Sequence, residues 1–213
     1  MSEGPPSGLS APAGCGIVRR MGSAAPRTYV DYPAYLAIER ETDRKHEWYD
    51  GQVYAMAGGT LAHSQLSARM TTELSRLADA RGCRVFNSDG KLRVLATGRA
   101  TWPDASVVCG PVARDPEDPD AMTNPVVIVE VLSDATERDD RGEKFHHYRR
   151  IASLRHYVLV SQHEARVEVL TRVEGGRWEL AVAEAGETFA LDALGGAVAV
   201  DAVYRSVELT PRE

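Results

Sequence analysis

The run Val126-Val127-Ile128-Val129-Glu130-Val131-Leu132 constrains the fold more than any other part of the chain. Six of its seven residues are apolar and most are β-branched, which favours a strand. The apolar residues are continuous rather than alternating, so the strand must be covered on both faces. A central strand of that kind needs a layer of helix on each side, which predicts an α/β architecture. Glu130 is then out of place. An ionised, unpaired carboxylate in such a strand costs on the order of several kcal/mol. A metal ion, a lysine or arginine partner, protonation, or a sheet edge facing water would each relieve that cost.

The rest of the chain supplies the layers. Apolar spacing predicts a helix over residues 32–40, with Tyr32, Tyr35 and Leu36 inward, and a long helix over 61–80 carrying Leu66, Met70, Leu74 and Leu77. Thr60 can cap the long helix, and Gly82 follows its end. Between these helices, runs 45–49 and 52–56 flank Asp50-Gly51, a strong hairpin signal because a type I′ turn needs positive φ at both central residues. Strands are expected at 84–86, 92–95, 105–109 and 157–160. A loop is expected over 111–125, a helix over 139–151, and a hairpin joining 166–172 to 178–182 around Glu174-Gly175-Gly176. The predicted fold is a mixed β-sheet flanked by helices, with an extra N-terminal hairpin and extra C-terminal strands. Residues 1–26, rich in Gly, Pro, Ser and Ala, read as a disordered tail. Residues 27–210 read as a single domain.

The chain has 213 residues and a formal charge of -6, so it is no general polycation for coating nucleic acid, although a local basic face can still bind phosphates. Its cysteines, Cys15, Cys83 and Cys109, are odd in number and widely spaced. That pattern fits neither a disulfide framework nor a cysteine zinc site, and points to a reducing cytoplasm. No apolar run is long enough to cross a membrane, and Gly and Pro interrupt the N-terminus where a signal core would lie.

Asp104 follows Pro103 at the mouth of the 105–109 strand, where a turn hydrogen bond is its plainest role. Two acids on neighbouring strands can instead share a divalent cation, Mg²⁺ or Mn²⁺, that offsets their repulsion. Lys144 comes fourteen residues after Glu130, on the helix that returns over the sheet. It can aim its ammonium at the strand ends, or simply pair with Asp140 on a solvated face. Arg138, Arg141, Lys144, Arg149 and Arg150 outnumber Asp139, Asp140 and Glu143, which makes a modest phosphate-binding face. Glu47 on the first hairpin is a supporting candidate. So is His63 at the start of the long helix, where a phosphate can also meet the helix N-terminus. No HExxH, P-loop, GxGxxG or GxSxG pattern is present, so zinc-hydrolase, nucleotide-cofactor and serine-hydrolase readings lack support.

Several pieces together resemble one family: Lys45-His46-Glu47-Trp48-Tyr49-Asp50-Gly51, Pro103-Asp104, the 125–133 run, Asp140-Arg141-Gly142-Glu143-Lys144-Phe145 with Tyr148-Arg149, and Tyr157-Val158-Leu159-Val160. The chain resembles the Uma-type restriction endonucleases of the PD-(D/E)xK nuclease superfamily over about residues 28–207. The resemblance implies a restriction-endonuclease-like core with Asp104 and Glu130 as Mg²⁺ ligands. The superfamily lysine would stand two residues after Glu130, where this chain has Leu132. This family supplies it from the next helix, which points to Lys144, with Lys91 as the fallback.

The expected activity is metal-dependent hydrolysis of DNA phosphodiester bonds. Asp104, Glu130, Lys144 and Glu47 are its catalytic candidates, and His63, Lys91, Arg141 and Arg149 are its nucleic-acid contacts. A homodimer is expected by analogy with the fold, since cutting both strands takes two sites. The rival reading is a catalytically decayed nuclease fold that serves as a nucleic-acid-binding or protein-interaction module.

Overall fold

In a computed structural model, residues 29–56 and 58–209 are described, together with Met1. Apart from Met1, the tail expected over 1–26 lies outside the described residues, as does Cys15. The elements run α1 (Tyr32–Glu41), β1 (His46–Tyr49), β2 (Gln52–Ala55), α2 (Leu61–Asp79), β3 (Cys83–Asn87), β4 (Leu92–Val94), β5 (Arg99–Thr101), β6 (Ala105–Cys109) and β7 (Val127–Val131). They continue with α3 (Glu137–Asp139), a π-helical turn (Asp140–Lys144), α4 (Phe145–Tyr148), β8 (His156–Val160), β9 (Arg166–Arg172), β10 (Trp178–Glu184), β11 (Thr188–Leu191), β12 (Gly196–Ala199) and α5 (Val200–Tyr204).

The main sheet has six strands in the order β10-β9-β8-β7-β6-β3. Only β7 and β8 are parallel, and the other pairs are antiparallel, so the sheet is mixed. β7 is central and buried along its whole length, as its apolar run requires. Its odd positions, Val127, Val129 and Val131, pack toward α2 with Leu66, Met70 and Leu74. Its even positions, Ile128 and Leu132, pack toward α4 with Tyr148 and Ile151. Side chains alternate faces along a strand, so Glu130 belongs to the α4 side.

A second sheet, β2-β1-β5-β4, carries the N-terminal hairpin. Asp50 and Gly51 have φ of 48° and 72°, which is the positive pair that a type I′ turn demands. Trp48 and Ala100 on one face pack with Tyr32, Tyr35 and Leu36 of α1. The opposite face turns toward α4. The cap at Thr60 forms as expected, its hydroxyl accepting from the His63 N–H.

Three expectations need correction. The helix expected over 139–151 is a composite, in which a π turn separates two short α pieces. β5 is a strand where none was expected, because three residues give too little pattern to read. Cys83 and Cys109 form a disulfide. Wide spacing in sequence says nothing about strand pairing: β3 and β6 run antiparallel with these residues directly opposite, their Cα atoms 4.2 Å apart. The cysteines therefore no longer argue for a reducing compartment. No helix among the described residues is long and apolar enough to cross a membrane.

Candidate active site

Two pieces of chain meet over the end of β7. One is the second sheet, whose α4-facing side carries Glu47 from β1 and both Arg99 and Thr101 from β5. The other is the π turn, which carries Asp140 and Lys144. In that turn both side chains point inward and are buried, and the phenol of Tyr157 donates to the Asp140 carbonyl at 2.8 Å. π turns of this kind occur often at functional sites.

Lys144 is the hub. Its Nζ lies 2.9 Å from Asp140 Oδ1, 3.1 Å from Glu130 Oε1 and 3.5 Å from Glu47 Oε1. The pairing with Asp140 four residues back is real, but it is buried rather than solvated. Glu130 Oε1 also accepts from the Tyr148 phenol at 2.7 Å. Glu47 is fixed on both oxygens, by Thr101 Oγ1 at 2.6 Å and by Arg99 at 2.9 Å. Arg99 reaches on to Asp139 at 2.6 Å, tying the second sheet to the start of the helical segment. Asp104 sits across the end of β7. Its Oδ2 accepts from the Val131 N–H at 2.7 Å and faces His63 Nε2 at 3.3 Å.

These contacts set the charges. Burial pushes the Glu130 carboxyl well above the usual range; Lys144 opposes that shift and the charges of Asp140 and Asp104 add to it. Asp140 is raised by burial as well, with Lys144 again opposing. Glu47 is also buried, which works to raise it, yet Lys144, Arg99 and the Thr101 hydroxyl hold it below the usual range. Burial also works against the Lys144 ammonium, but Glu130, Glu47 and Asp140 outweigh it and keep its pKa well above the usual value. The proton thus stays on Lys144, and Glu130 is the carboxylate most ready to take another. His63 is raised by its hydrogen bond to Asp104, against its partial burial.

Five carboxylates (Glu47, Asp104, Glu130, Asp139 and Asp140) gather here with two permanent cations, Arg99 and Lys144, and with His63 against Asp104. The surplus is negative. Among the described residues no hydrogen bond takes Asp104 Oδ1 or Glu130 Oε2. Two such oxygens in a negative site suit a divalent cation that completes its shell with substrate and water oxygens, as Mg²⁺ does. They do not make a self-sufficient cage: no group of three His, Cys, Asp or Glu among the described residues is arranged to hold a metal. The donor set therefore fits Mg²⁺ or Mn²⁺ shared with a substrate.

Of the residues singled out in the sequence, Asp104, Glu130, Lys144, Glu47 and His63 come together. Leu132, where the superfamily pattern has its lysine, is buried in the core, and the ammonium of Lys144 reaches Glu130 instead. Lys91 does not join the site. Its ammonium is buried 3.0 Å from Asp118 and 3.5 Å from Glu39, over the rings of Tyr35 and Trp102. Arg141 lies beside the site, clasping Glu168 with two nitrogens at 2.6 and 3.1 Å and Glu137 at 2.8 Å. Arg149 is exposed beyond the end of α4.

Arg99, Thr101, Tyr148 and Asp140 were not read as site residues from the sequence. Asp140 enters there as a partner for Lys144 on a solvated face, and both Asp140 and Tyr148 as members of the motifs that carry the family resemblance. Arg99 and Thr101 alternate around Ala100 ahead of Trp102-Pro103-Asp104, a weak strand signal that could have found them.

Comparisons with known proteins bear on the family and the fold. Residues 32–202 match the family model Uma2, described as "Putative restriction endonuclease". Two proteins of Synechocystis sp., both described as uncharacterized, are similar. One is slr1290, 36% identical over 184 residues, which cover 86% of this chain and 96% of that protein. The other is sll1609, 31% identical over 150 residues, covering 68% and 82%. A crystal structure from Anabaena variabilis, described as "a putative nuclease belonging to DUF820", superposes with a TM-score of 0.62 at 15% identity, covering 76% of this chain and 91% of that one. That likeness concerns the fold, and it bears out the restriction-endonuclease-like α/β architecture expected from the sequence.

Proposed function

The chain belongs to the Uma2 family, and from that premise we propose that it is a nuclease hydrolysing DNA phosphodiester bonds at the site around Glu130 and Lys144. The observation that carries the reading is a buried, charged lysine 3.1 Å from a carboxylate on the central strand, in a site with surplus negative charge. Asp104 and Glu130 are the residues that would hold Mg²⁺ or Mn²⁺. Bound there, the ion supplies a Lewis acid for the phosphoryl oxygen and lowers the pKa of bound water.

The chain's own groups do the rest. Lys144 keeps its proton and offers a fixed positive charge where negative charge develops on the phosphoryl group. Glu47, held ionised by Arg99 and Thr101, keeps the ammonium in register. Tyr148 fixes the rotamer of Glu130. His63, close to Asp104 and near the N-terminus of α2, is suited to a phosphate oxygen. Arg149 extends the cationic face along the substrate backbone, whereas Arg141 is held by Glu168 and Glu137. Lys91 is spent on Glu39 and Asp118, so we leave it out of the nucleic-acid contacts. The protein acts as a homodimer, since cutting both strands takes two sites.

Plasmid nicking tests this. Supercoiled DNA with Mg²⁺ or Mn²⁺ should be nicked by the wild type, and neither by Asp104→Asn nor by Glu130→Gln, both nearly isosteric and expected to fold. Equal nicking by all three would refute the site. No nicking by any, on plasmid or on single strands, would favour the non-catalytic reading. Light scattering on the purified chain reads the oligomeric state directly.

A further inference from the structure

The second sheet turns only one face to α1, and the other face forms a row that ends in the open. Tyr54 lies directly opposite Glu47 in the β1–β2 ladder. Glu47 accepts from Thr101, which lies opposite Leu92. Residues opposite one another in an antiparallel pair project to the same face. The row therefore reads Tyr54, Glu47, Thr101, Leu92, from the edge strand β2 inward. Tyr54 stands beside the carboxylate that touches Lys144, on the face that bears the site. It is 47% exposed, while Leu92 at the other end of the row is fully buried. Two neighbours in the chain are also apolar and open: Met56 at 38% and Leu61, the first residue of α2, at 86%. Leu61 precedes by two residues the histidine that reaches Asp104.

A cluster of buried charge thus has an aromatic ring on its rim. Packing does not account for Tyr54, because the packed face of its sheet carries Trp48 and Ala100 instead. A ligand that joins an anion to a flat apolar ring within one covalent unit matches this juxtaposition, and a nucleotide is such a ligand.

We propose that Tyr54 is a base-stacking residue, receiving an unpaired nucleobase next to the phosphate held at the Lys144 site. The inference rests on the nuclease reading and narrows its substrate to a strand whose bases are accessible: single-stranded DNA, or a duplex opened at that step. A base within a continuous duplex offers its edges and not its face, so it cannot stack on a protein ring.

The test uses a single-stranded deoxyoligonucleotide bearing one 2-aminopurine, whose fluorescence falls on stacking, with Ca²⁺ in place of Mg²⁺ to hold cleavage off. The full-length wild type and Tyr54→Phe should quench the probe. Tyr54→Ala should bind about tenfold more weakly or worse and leave the emission high, with an unchanged melting temperature. The unlabelled strand should bind more tightly than the same strand annealed to its complement. Absence of quenching by the wild type, equal quenching by Tyr54→Ala, or tighter binding of the duplex would each overturn the proposal. Nicking separates the two readings. Plasmid nicking that needs Asp104 while Tyr54→Ala behaves as wild type removes the stacking role alone. Tyr54-dependent quenching without nicking removes the activity and keeps the base site.

Discussion

The molecule buries two lysines, and their surroundings differ in a way that separates structure from chemistry. Lys91 meets Glu39 and Asp118, with the rings of Tyr35 and Trp102 beside it. Its neighbour Arg93 meets Asp115 and lies over Tyr32. Two cations there face three carboxylates, and aromatic faces enclose them. Around Lys144 and Arg99 there are five carboxylates, and the ring found over a cation there among the described residues is Tyr49, 6.0 Å from Arg99. Burying charge costs free energy in both places. Near Lys91 the charges largely offset one another inside the protein. Near Lys144 they do not, and what is left over is suited to an external cation and a substrate. The imbalance, more than the burial, marks the site.

The largest expected effects come from breaking the Lys144 cluster. Lys144→Met should lower the nicking rate by about 10²–10³-fold. It should also destabilise the fold at neutral pH by roughly 3–5 kcal/mol, because buried carboxylates lose their cation. Glu130→Gln should abolish nicking just as fully but leave the melting temperature unchanged or higher. The sign follows from linkage. A carboxyl whose folded pKa is raised costs stability as pH rises above its unfolded pKa, and an amide removes that cost. A Glu130→Gln protein much less stable than wild type at pH 7 would mean that the carboxylate supports the fold rather than burdening it.

The Lys91 cluster should respond the other way. Lys91→Met should cost roughly 3 kcal/mol of stability, at the low end for a broken buried pair, since Arg93 remains nearby. The protein that stays folded should nick at the wild-type rate. Urea melts and nicking at a temperature well below the transition check the two halves separately. Loss of nicking with little loss of stability would put Lys91 back among the catalytic candidates and erase the contrast between the two clusters.

How much of this the sequence held depends on the range over which each signal acts. β7, α1, α2 and the Asp50-Gly51 hairpin are written in local periodicity and turn chemistry, and they stand where expected. Glu130 was conspicuous because a carboxylate in an apolar run is a local contradiction. Arg99 and Thr101 were hidden because their strand is three residues long and their partner, Glu47, is more than fifty positions away. The disulfide was hidden for the same reason, since strand pairing alone brings Cys83 opposite Cys109. The π turn leaves no periodic trace, because one displaced hydrogen bond does not change which residues are apolar. The inward direction of Lys144 followed from family resemblance and could not be read from its neighbours.

The smallest effect tests whether the imbalance extends to the rim, at His63. Its hydrogen bond with Asp104 raises its pKa in the folded protein above the ordinary 6.5, against its partial burial; Asp140 adds to the rise and Lys144 opposes it. The folded state therefore binds this proton more tightly than the unfolded chain. That contribution is fully present below about pH 6.5, shrinks as pH rises through the raised value, and is gone above it. His63 is partly exposed, so the contribution should stay below about 1 kcal/mol. Comparing His63→Gln with wild type in urea at a series of pH values isolates it, because Glu130 and Asp140 titrate in both proteins and their effects largely cancel in the difference. The wild type should be the more stable at acid pH, and the two curves should converge toward alkaline pH. A difference that stays flat with pH would mean that His63 acts through packing alone.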